Sequence, residues 1–288
     1  MIYGDRNTGV IVQGATGNQG AFHISLMNEY ARSVGGRGVV AGVTPGKGGQ
    51  VVHGVQVYNS VREAADEHDF TTSVLFVPGS AAGDSIMEAA SAGLELVVAI
   101  TEGIPVHDTM KALAFARMEG CCVIGPNCPG TLSPGELKLG IMPPQLAMTG
   151  NVGIISRSGT LTYEVVNELT RAGIGQSTIV GIGGDPVIGQ TFVDVLERFE
   201  QDPQTKAVVL IGEVGGNLEE EGAAATSLPI VGYVAGVSAP PEKRMGHAGA
   251  IIEGGEGDAR SKIGRLRKMG VPVAGRPSEI PGLIRELL

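Results

Sequence analysis

Tryptophan is absent from these 288 residues, and aromatic residues make up only 4 % of them. That scarcity argues against an aromatic-lined sugar site or a single-stranded nucleic-acid surface, where bases stack on rings. No apolar run approaches the roughly 20 residues that a membrane-spanning helix needs. The first residues, "MIYGDRNTGVIVQG", lack the charged-then-apolar order of a secretory signal. Cysteine is scarce and odd in number: Cys121, Cys122 and Cys128. No disulfide framework follows, and a cytoplasmic chain is expected. Their spacing is not that of a zinc site, so no metal site is expected there. Basic residues are in deficit, 21 against 30 acidic ones, for a net charge of −9. That balance disfavours a general polyanion binder, nucleic acid included, although a local basic loop could still hold a small phosphorylated ligand.

Glycine, by contrast, is abundant: 46 residues, about twice the usual share. The glycines fall at the ends of apolar runs rather than in a repeat. Short, uniformly apolar runs at 9–13, 38–43, 73–78, 95–100 and 121–125 read as buried strands. Helical patterns at 18–33, 60–67, 80–92 and 106–119 lie between them. The second half repeats the scheme, with strands at 152–156, 177–182, 207–212, 229–234 and 271–274. Its helices fit 159–172, 189–200, 217–225, 258–269 and 277–287. Strands apolar on both faces, alternating with helices, imply parallel sheets covered on both sides. The expected fold is α/β, with two doubly wound parallel-sheet domains at 1–125 and 151–288. The Pro- and Gly-rich stretch 126–150 is read as an extended connector.

Ligands of such sheets bind at the carboxyl ends of the strands, so the strand-end loops carry the functional reading. The first, "QGATGNQGAFH" (13–23), sets Gly14, Gly17 and Gly20 between a strand and a helix. Its glycines let backbone approach a phosphate, and the helix N-terminus offers N–H donors; the bland alternative is a tight turn. A nicotinamide dinucleotide would call for an acidic residue after the second strand. The chain has "AGVTPGKGG" (41–49) there, with Lys47 and no acid. A cation suits an additional ribose phosphate, as in NADP or coenzyme A. Glu102, in "ITEGIP" (100–105), could hold a ligand or cap the next helix, and "GPNCPG" (125–130) reads as a rigid bend.

The second half opens with "SRSGTLTYE" (156–164), another strand-to-helix turn able to receive an anion, with Ser158 also a candidate N-cap. Glu213 ends a strand and is followed by small residues, so it can point into a cleft. The run Glu219–Glu221 is expected as first-turn acids of a capped helix. His247 stands in "KRMGHAGAII" (243–252), flanked by glycine. Anion-binding helix starts, a strand-end carboxylate and a glycine-flanked histidine together suit phosphoryl transfer through histidine. The neutral imidazole would attack, and a carboxylate on its other nitrogen would fix the tautomer.

Taken together, "QGATGNQGAFH", "AGVTPGKGG", "ITEGIP", "IGPNCPG", "GIMP", "SRSGTLTYE", "GIGGDP", "DPQTKAVVLIGEVGG" and "KRMGHAGAI" are highly specific. Over nearly its whole length the chain resembles the alpha subunits of the succinyl-CoA synthetases (succinate–CoA ligases). The resemblance implies a Rossmann-like CoA-binding domain followed by a flavodoxin-like ligase domain with a phosphohistidine loop. It implies CoA contacts from Thr16, Gly17, Asn18, Gln19, Lys47, Ile100, Thr101 and Glu102. It makes His247 the phosphorylated nucleophile and Glu213 the carboxylate that orients it. Ser158, Gly159 and Thr160 would face the phosphate, and Tyr163 the substrate. The implied reaction is reversible formation of succinyl-CoA from succinate, CoA and a nucleoside triphosphate, a step of the tricarboxylic acid cycle. Mg with ATP or GTP is expected mainly on a separate beta (ATP-grasp) subunit, in an αβ or α2β2 assembly. Two alternatives stay open here: a related malate or citrate CoA ligase, and an NADP-binding oxidoreductase or sensor. Lys243 and Arg244 have no assigned role.

Overall fold

The computed structural model describes residues 1–238, 247, 249 and 257–288. Lys243 and Arg244 lie outside the described residues. The chain divides into two compact units. The N-terminal unit comprises Tyr3–Met142 and Val187–Gly189, and the C-terminal unit Met1–Ile2, Pro143–Pro186 and Gln190–Leu288.

In the N-terminal unit, β1 (Val10–Gln13) leads into α1 (Asn18–Val34) and β2 (Val39–Val43). Then come β3 (Val51–Val52), β4 (Val55–Tyr58), α2 (Val61–Ala65), β5 (Thr72–Leu75), α3 (Gly79–Ser91), β6 (Leu96–Ala99), α4 (Val106–Met118) and β7 (Cys122–Ile124). The sheet order is β3-β4-β2-β1-β5-β6-β7. Without the edge strand β3, this is the 3-2-1-4-5-6 order of dinucleotide-binding folds. The strands β1, β5 and β6 are buried at every position, as the lack of polar alternation in the sequence requires. β3 and β4 form an antiparallel hairpin through His53 and Gly54, both at positive φ (49° and 83°). That geometry suits a two-residue turn whose twist matches the strands.

The segment 126–150, expected as an extended connector, holds an antiparallel hairpin. β8 (Gly130–Ser133) pairs with β9 (Leu137–Gly140), followed by a short 3-10 turn at Pro144–Leu146. All eight hairpin residues are buried, which turn-rich composition alone does not suggest. The "GPNCPG" corner before it contains a cis Gly125–Pro126 bond and a left-handed Asn127 (φ 53°).

The C-terminal unit runs β10 (Thr149–Ser156), α5 (Gly159–Arg171), β11 (Gln176–Gly181), α6 (Phe192–Gln201) and β12 (Ala207–Gly212). It continues through α7 (Leu218–Ala224), β13 (Ile230–Val234), α8 (Ala259–Lys268), β14 (Val273–Ala274) and α9 (Ile280–Leu287). Within it the parallel strands stand in the order β14-β13-β12-β10-β11. Numbered along the unit, this is 2-1-3-4-5, the flavodoxin-like order. β11 and β12 are buried throughout, and Phe192, Leu196 and Phe199 of α6 are fully buried. α6 starts in a capping box, with Thr191 and Asp194 exchanging hydrogen bonds.

Candidate active site

At the carboxyl end of β1 the chain turns sharply. Gly14 has φ 84°, and its N–H donates to the Val43 carbonyl of β2 (2.8 Å). A side chain on Gly20 would overlap the Gly14 carbonyl oxygen, so glycine there lets α1 start directly against the strand end. Gly17 is the N-cap of α1, with no side chain occupying the cap. The N-terminal N–H groups of this helix are therefore left for water or a ligand. Gly17, Asn18 and Gln19 are exposed, and Thr16 is half-buried, its N–H donating to Thr44 Oγ1 (3.2 Å).

Lys47 is exposed on the loop after β2. Asn59 Oδ1 accepts the N–H groups of Gly46 and Gly48, each at 3.0 Å, and so fixes the backbone on both sides of that lysine. After β6, Thr101 donates its hydroxyl to the Val77 carbonyl (2.8 Å). Ile100 is half-buried, and Glu102 is exposed. The three loops follow β1, β2 and β6 at the same end of one parallel sheet. The strand order reverses between β1 and β5, the usual position of a nucleotide-like ligand.

In the C-terminal unit, the loops after β10 and β12 meet. The Arg157 N–H donates to the Ile211 carbonyl (3.2 Å). Ser156, fully buried, donates its hydroxyl to the Ser158 carbonyl (2.9 Å) and accepts the Ser158 N–H (3.0 Å). Ser158 then caps α5 by accepting the Leu161 N–H (3.4 Å). Gly159 and Thr160 open the helix, and Tyr163 sits half-buried on its second turn.

His247 is brought to Glu213: Nδ1 lies 2.8 Å from Oε2. The carboxylate's other oxygen is 3.3 Å from Arg157 Nη2. The hydrogen bond to Glu213 raises the His247 pKa above its usual 6.5, against the opposing effect of burial. His23 of the "GATGNQGAFH" stretch provides a contrast. It is buried and stacked on Phe76, and burial pushes its pKa down to about 4. Gly184 faces the imidazole, and any β-carbon there would overlap the ring. With Nδ1–H held by a carboxylate, the ring's other nitrogen, Nε2, carries the lone pair.

Residues 5–103 match the family described as CoA binding domain, and residues 155–271 match CoA-ligase. The chain is 56 % identical to the alpha subunit 2 of an ADP-forming succinate–CoA ligase from Archaeoglobus fulgidus, covering 99 % of this chain and 98 % of that one. It is 55 % identical to the corresponding alpha subunit of Methanothermobacter thermautotrophicus, covering 100 % and 97 %. The chain belongs to the succinate–CoA ligase alpha-subunit family. Its fold is also seen in solved structures. ATP citrate lyase from Methanothrix soehngenii, in complex with citrate and coenzyme A, superposes with a TM-score of 0.90 at 25 % identity. The match covers 99 % of this chain and half of that one. A dinucleotide-forming acetyl-coenzyme A synthetase from Ca. Korarchaeum cryptofilum shares the fold with a TM-score of 0.74 at 24 % identity, over 93 % of this chain and 58 % of that one. This placement sets the oxidoreductase reading of "GATGNQG" aside.

Sequence reasoning about this alpha-subunit chain missed four residues that shape the sites. Asn59 and Gly184 are two of them. The others are Lys262 and Glu219, both fully buried. Glu219 is a first-turn acid of α7 as expected, but it faces inward and pairs with Lys262. The α7 N-cap, Asn217, makes no capping bond and instead donates its amide to Glu221 (2.8 Å). Arg157 was noticed only as part of a turn. Its guanidinium, 4 % exposed, joins Glu213 to Glu219.

Proposed function

We propose that this chain, with a beta (ATP-grasp) subunit in an αβ or α2β2 assembly, reversibly forms succinyl-CoA from succinate, CoA and a nucleoside triphosphate. The observation that carries the reading is the 2.8 Å contact between His247 Nδ1 and Glu213 Oε2. Nε2 of neutral His247 attacks the γ-phosphorus; the N–P bond forms as the P–O bond to the nucleoside diphosphate breaks. Glu213 holds the Nδ1 proton and offsets the positive charge that develops on the ring. The start of α5 receives the phosphoryl oxygens, through the Ser158 hydroxyl and the backbone N–H groups of Gly159 and Thr160. A succinate carboxylate oxygen then takes the phosphoryl group and returns the electron pair to Nε2, with Tyr163 on the substrate side. The CoA thiolate attacks the acyl phosphate carbonyl and inorganic phosphate leaves.

CoA is assigned to the loops carrying Thr16, Gly17, Asn18, Gln19, Lys47, Ile100, Thr101 and Glu102. The match of residues 5–103 to a CoA binding domain supports that assignment. It is also consistent with a CoA-binding domain at 1–125 and a ligase domain at 151–288. ATP and ADP are the nucleotide couple we favour, because the relatives are ADP-forming enzymes. The nucleotide's Mg is assigned mainly to the beta subunit. Three free cysteines are in keeping with a cytoplasmic protein.

The test is to incubate the assembled enzyme with γ-labelled ATP. An acid-labile, base-stable phosphoprotein is expected, absent in His247→Asn. Label surviving that substitution overturns the mechanism. Turnover with citrate or malate but not succinate would move the chain to a related acid–CoA ligase.

A further inference from the structure

Behind the His247–Glu213 pair lies a cluster of buried charges that this chemistry does not use directly. Glu219 and Lys262 are fully buried, and Arg157 is 4 % exposed. Glu219 is the hub. One of its oxygens pairs with Lys262 Nζ. The other accepts the backbone N–H of Glu213 (3.1 Å) and lies 3.5 Å from Arg157 Nη1. Arg157 Nη2 reaches Glu213 Oε1 at 3.3 Å. Arg157 Nη1 and Lys262 Nζ both donate to the Gly215 carbonyl, at 3.2 and 2.8 Å. The main chain and side chain of Glu213 are thus held from two directions by one network.

Two observations tie this network to the histidine rather than to general packing. Gly212, at the end of β12, leaves the space that Glu219 fills, since a β-carbon there would meet the Glu219 side chain. Gly249, two residues after His247, stands so close that its β-carbon would fall 2.8 Å from Arg157 Nη2. The charges also balance. Within the network, Arg157 and Lys262 offset Glu213 and Glu219. A buried ion network is seldom the most stable filling of its space; apolar residues of similar volume often serve as well or better.

We infer that Glu219, anchored by Lys262 and Arg157, is a positioning residue that sets the Glu213 carboxylate against His247 for phosphoryl transfer. The inference rests on the phosphohistidine reading above. Among the described residues, Glu213, Arg157 and Asp185 are the charged groups acting on the His247 ring.

Three variants of the assembled enzyme test it: Glu219→Gln, Arg157→Lys and the double variant Glu219→Leu with Lys262→Met. Arg157→Lys keeps the charge but loses the two-pronged contact. The double variant replaces the ion pair by apolar groups and guards against a misfolded single variant. Each is expected to slow single-turnover labelling of His247 by about 100-fold, with KM for ATP unchanged. An NMR titration of ring-nitrogen-labelled histidine should show the His247 pKa falling back toward its ordinary value in Glu219→Gln. A folded double variant with the wild-type labelling rate and wild-type titration overturns the proposal and leaves the cluster a structural one. If wild-type protein takes no label at all, the phosphohistidine reading fails. The NMR titration then still decides whether Glu219 positions Glu213.

Discussion

The imidazole of His247 and the carboxylate of Glu213 meet at 2.8 Å through Nδ1 and Oε2, which leaves the lone pair of the neutral ring on Nε2. The Glu213 hydrogen bond is the main cause of the raised His247 pKa. Attack needs the neutral ring, so the acid limb of the labelling rate is expected above pH 6.5, the ordinary histidine value. Glu213→Gln should move that limb down toward 6.5 and lower the plateau by roughly 100-fold. A single-turnover pH profile checks both effects. Stability follows the same linkage. A histidine pKa raised by folding contributes stability that is complete below the unfolded value and lost as pH rises through the folded one. The difference in Tm between wild type and His247→Asn should therefore narrow as pH rises through that window.

Gly184 sets the position of the same ring from the opposite side. In Gly184→Ala the new methyl group would occupy the space of the imidazole. The ring is a movable side chain, so it should shift off Glu213 rather than unfold the unit. Labelling of His247 is expected to fall on the order of 100-fold, with Tm changed by only a few degrees. A variant labelled at the wild-type rate would show that the ring reaches Glu213 from another rotamer.

Most strands and helices of both units were legible because the strands are short, largely apolar runs and most helices begin or end beside glycine or a capping residue. β3 and β4 were not, because two valines before a His53–Gly54 turn are too short to show a pattern and Gln56 interrupts the apolar run of β4. The β8–β9 hairpin was hidden within a stretch whose Pro and Gly content suggested an open connector. In the site, His247 and Glu213 stood out through their flanking glycines and strand-end position. Glu219 did not. It sits in a run of three glutamates, and only the packing of α7 on α8 turns one of them inward. Its partners Arg157 and Lys262 are 62 and 43 residues away along the chain, and no local pattern connects them. Buried charge networks are tertiary facts, whereas strand-end loops are written into local sequence.

Lys47 offers a test in the N-terminal unit that is independent of the histidine. It is exposed on a loop whose backbone is fixed by Asn59, so its removal should cost binding and not folding. Lys47→Ala is expected to raise KM for CoA on the order of tenfold, the loss of about one charge-assisted hydrogen bond. Phosphorylation of His247 should be untouched, because that step precedes the use of CoA. If the lysine pairs with a phosphate of CoA that dephospho-CoA lacks, the penalty should shrink with dephospho-CoA as substrate. Asn59→Ala should reproduce part of the effect by loosening the loop.

Ser158 has two roles that substitutions can separate. Its hydroxyl caps α5 by accepting the Leu161 N–H at 3.4 Å, and it stands at the helix start assigned to the phosphoryl group. Alanine removes both functions and should cost roughly 1 kcal/mol of stability through the lost cap. Asparagine is an equally good N-cap residue, so Ser158→Asn should retain the wild-type Tm. Its bulkier amide, however, replaces a small hydroxyl beside the phosphate. Labelling of His247 should therefore fall in both variants, while Tm falls only in the alanine one. If Ser158→Asn is labelled as fast as wild type, the hydroxyl serves the helix alone, and the phosphoryl oxygens are held by the backbone N–H groups of Gly159 and Thr160.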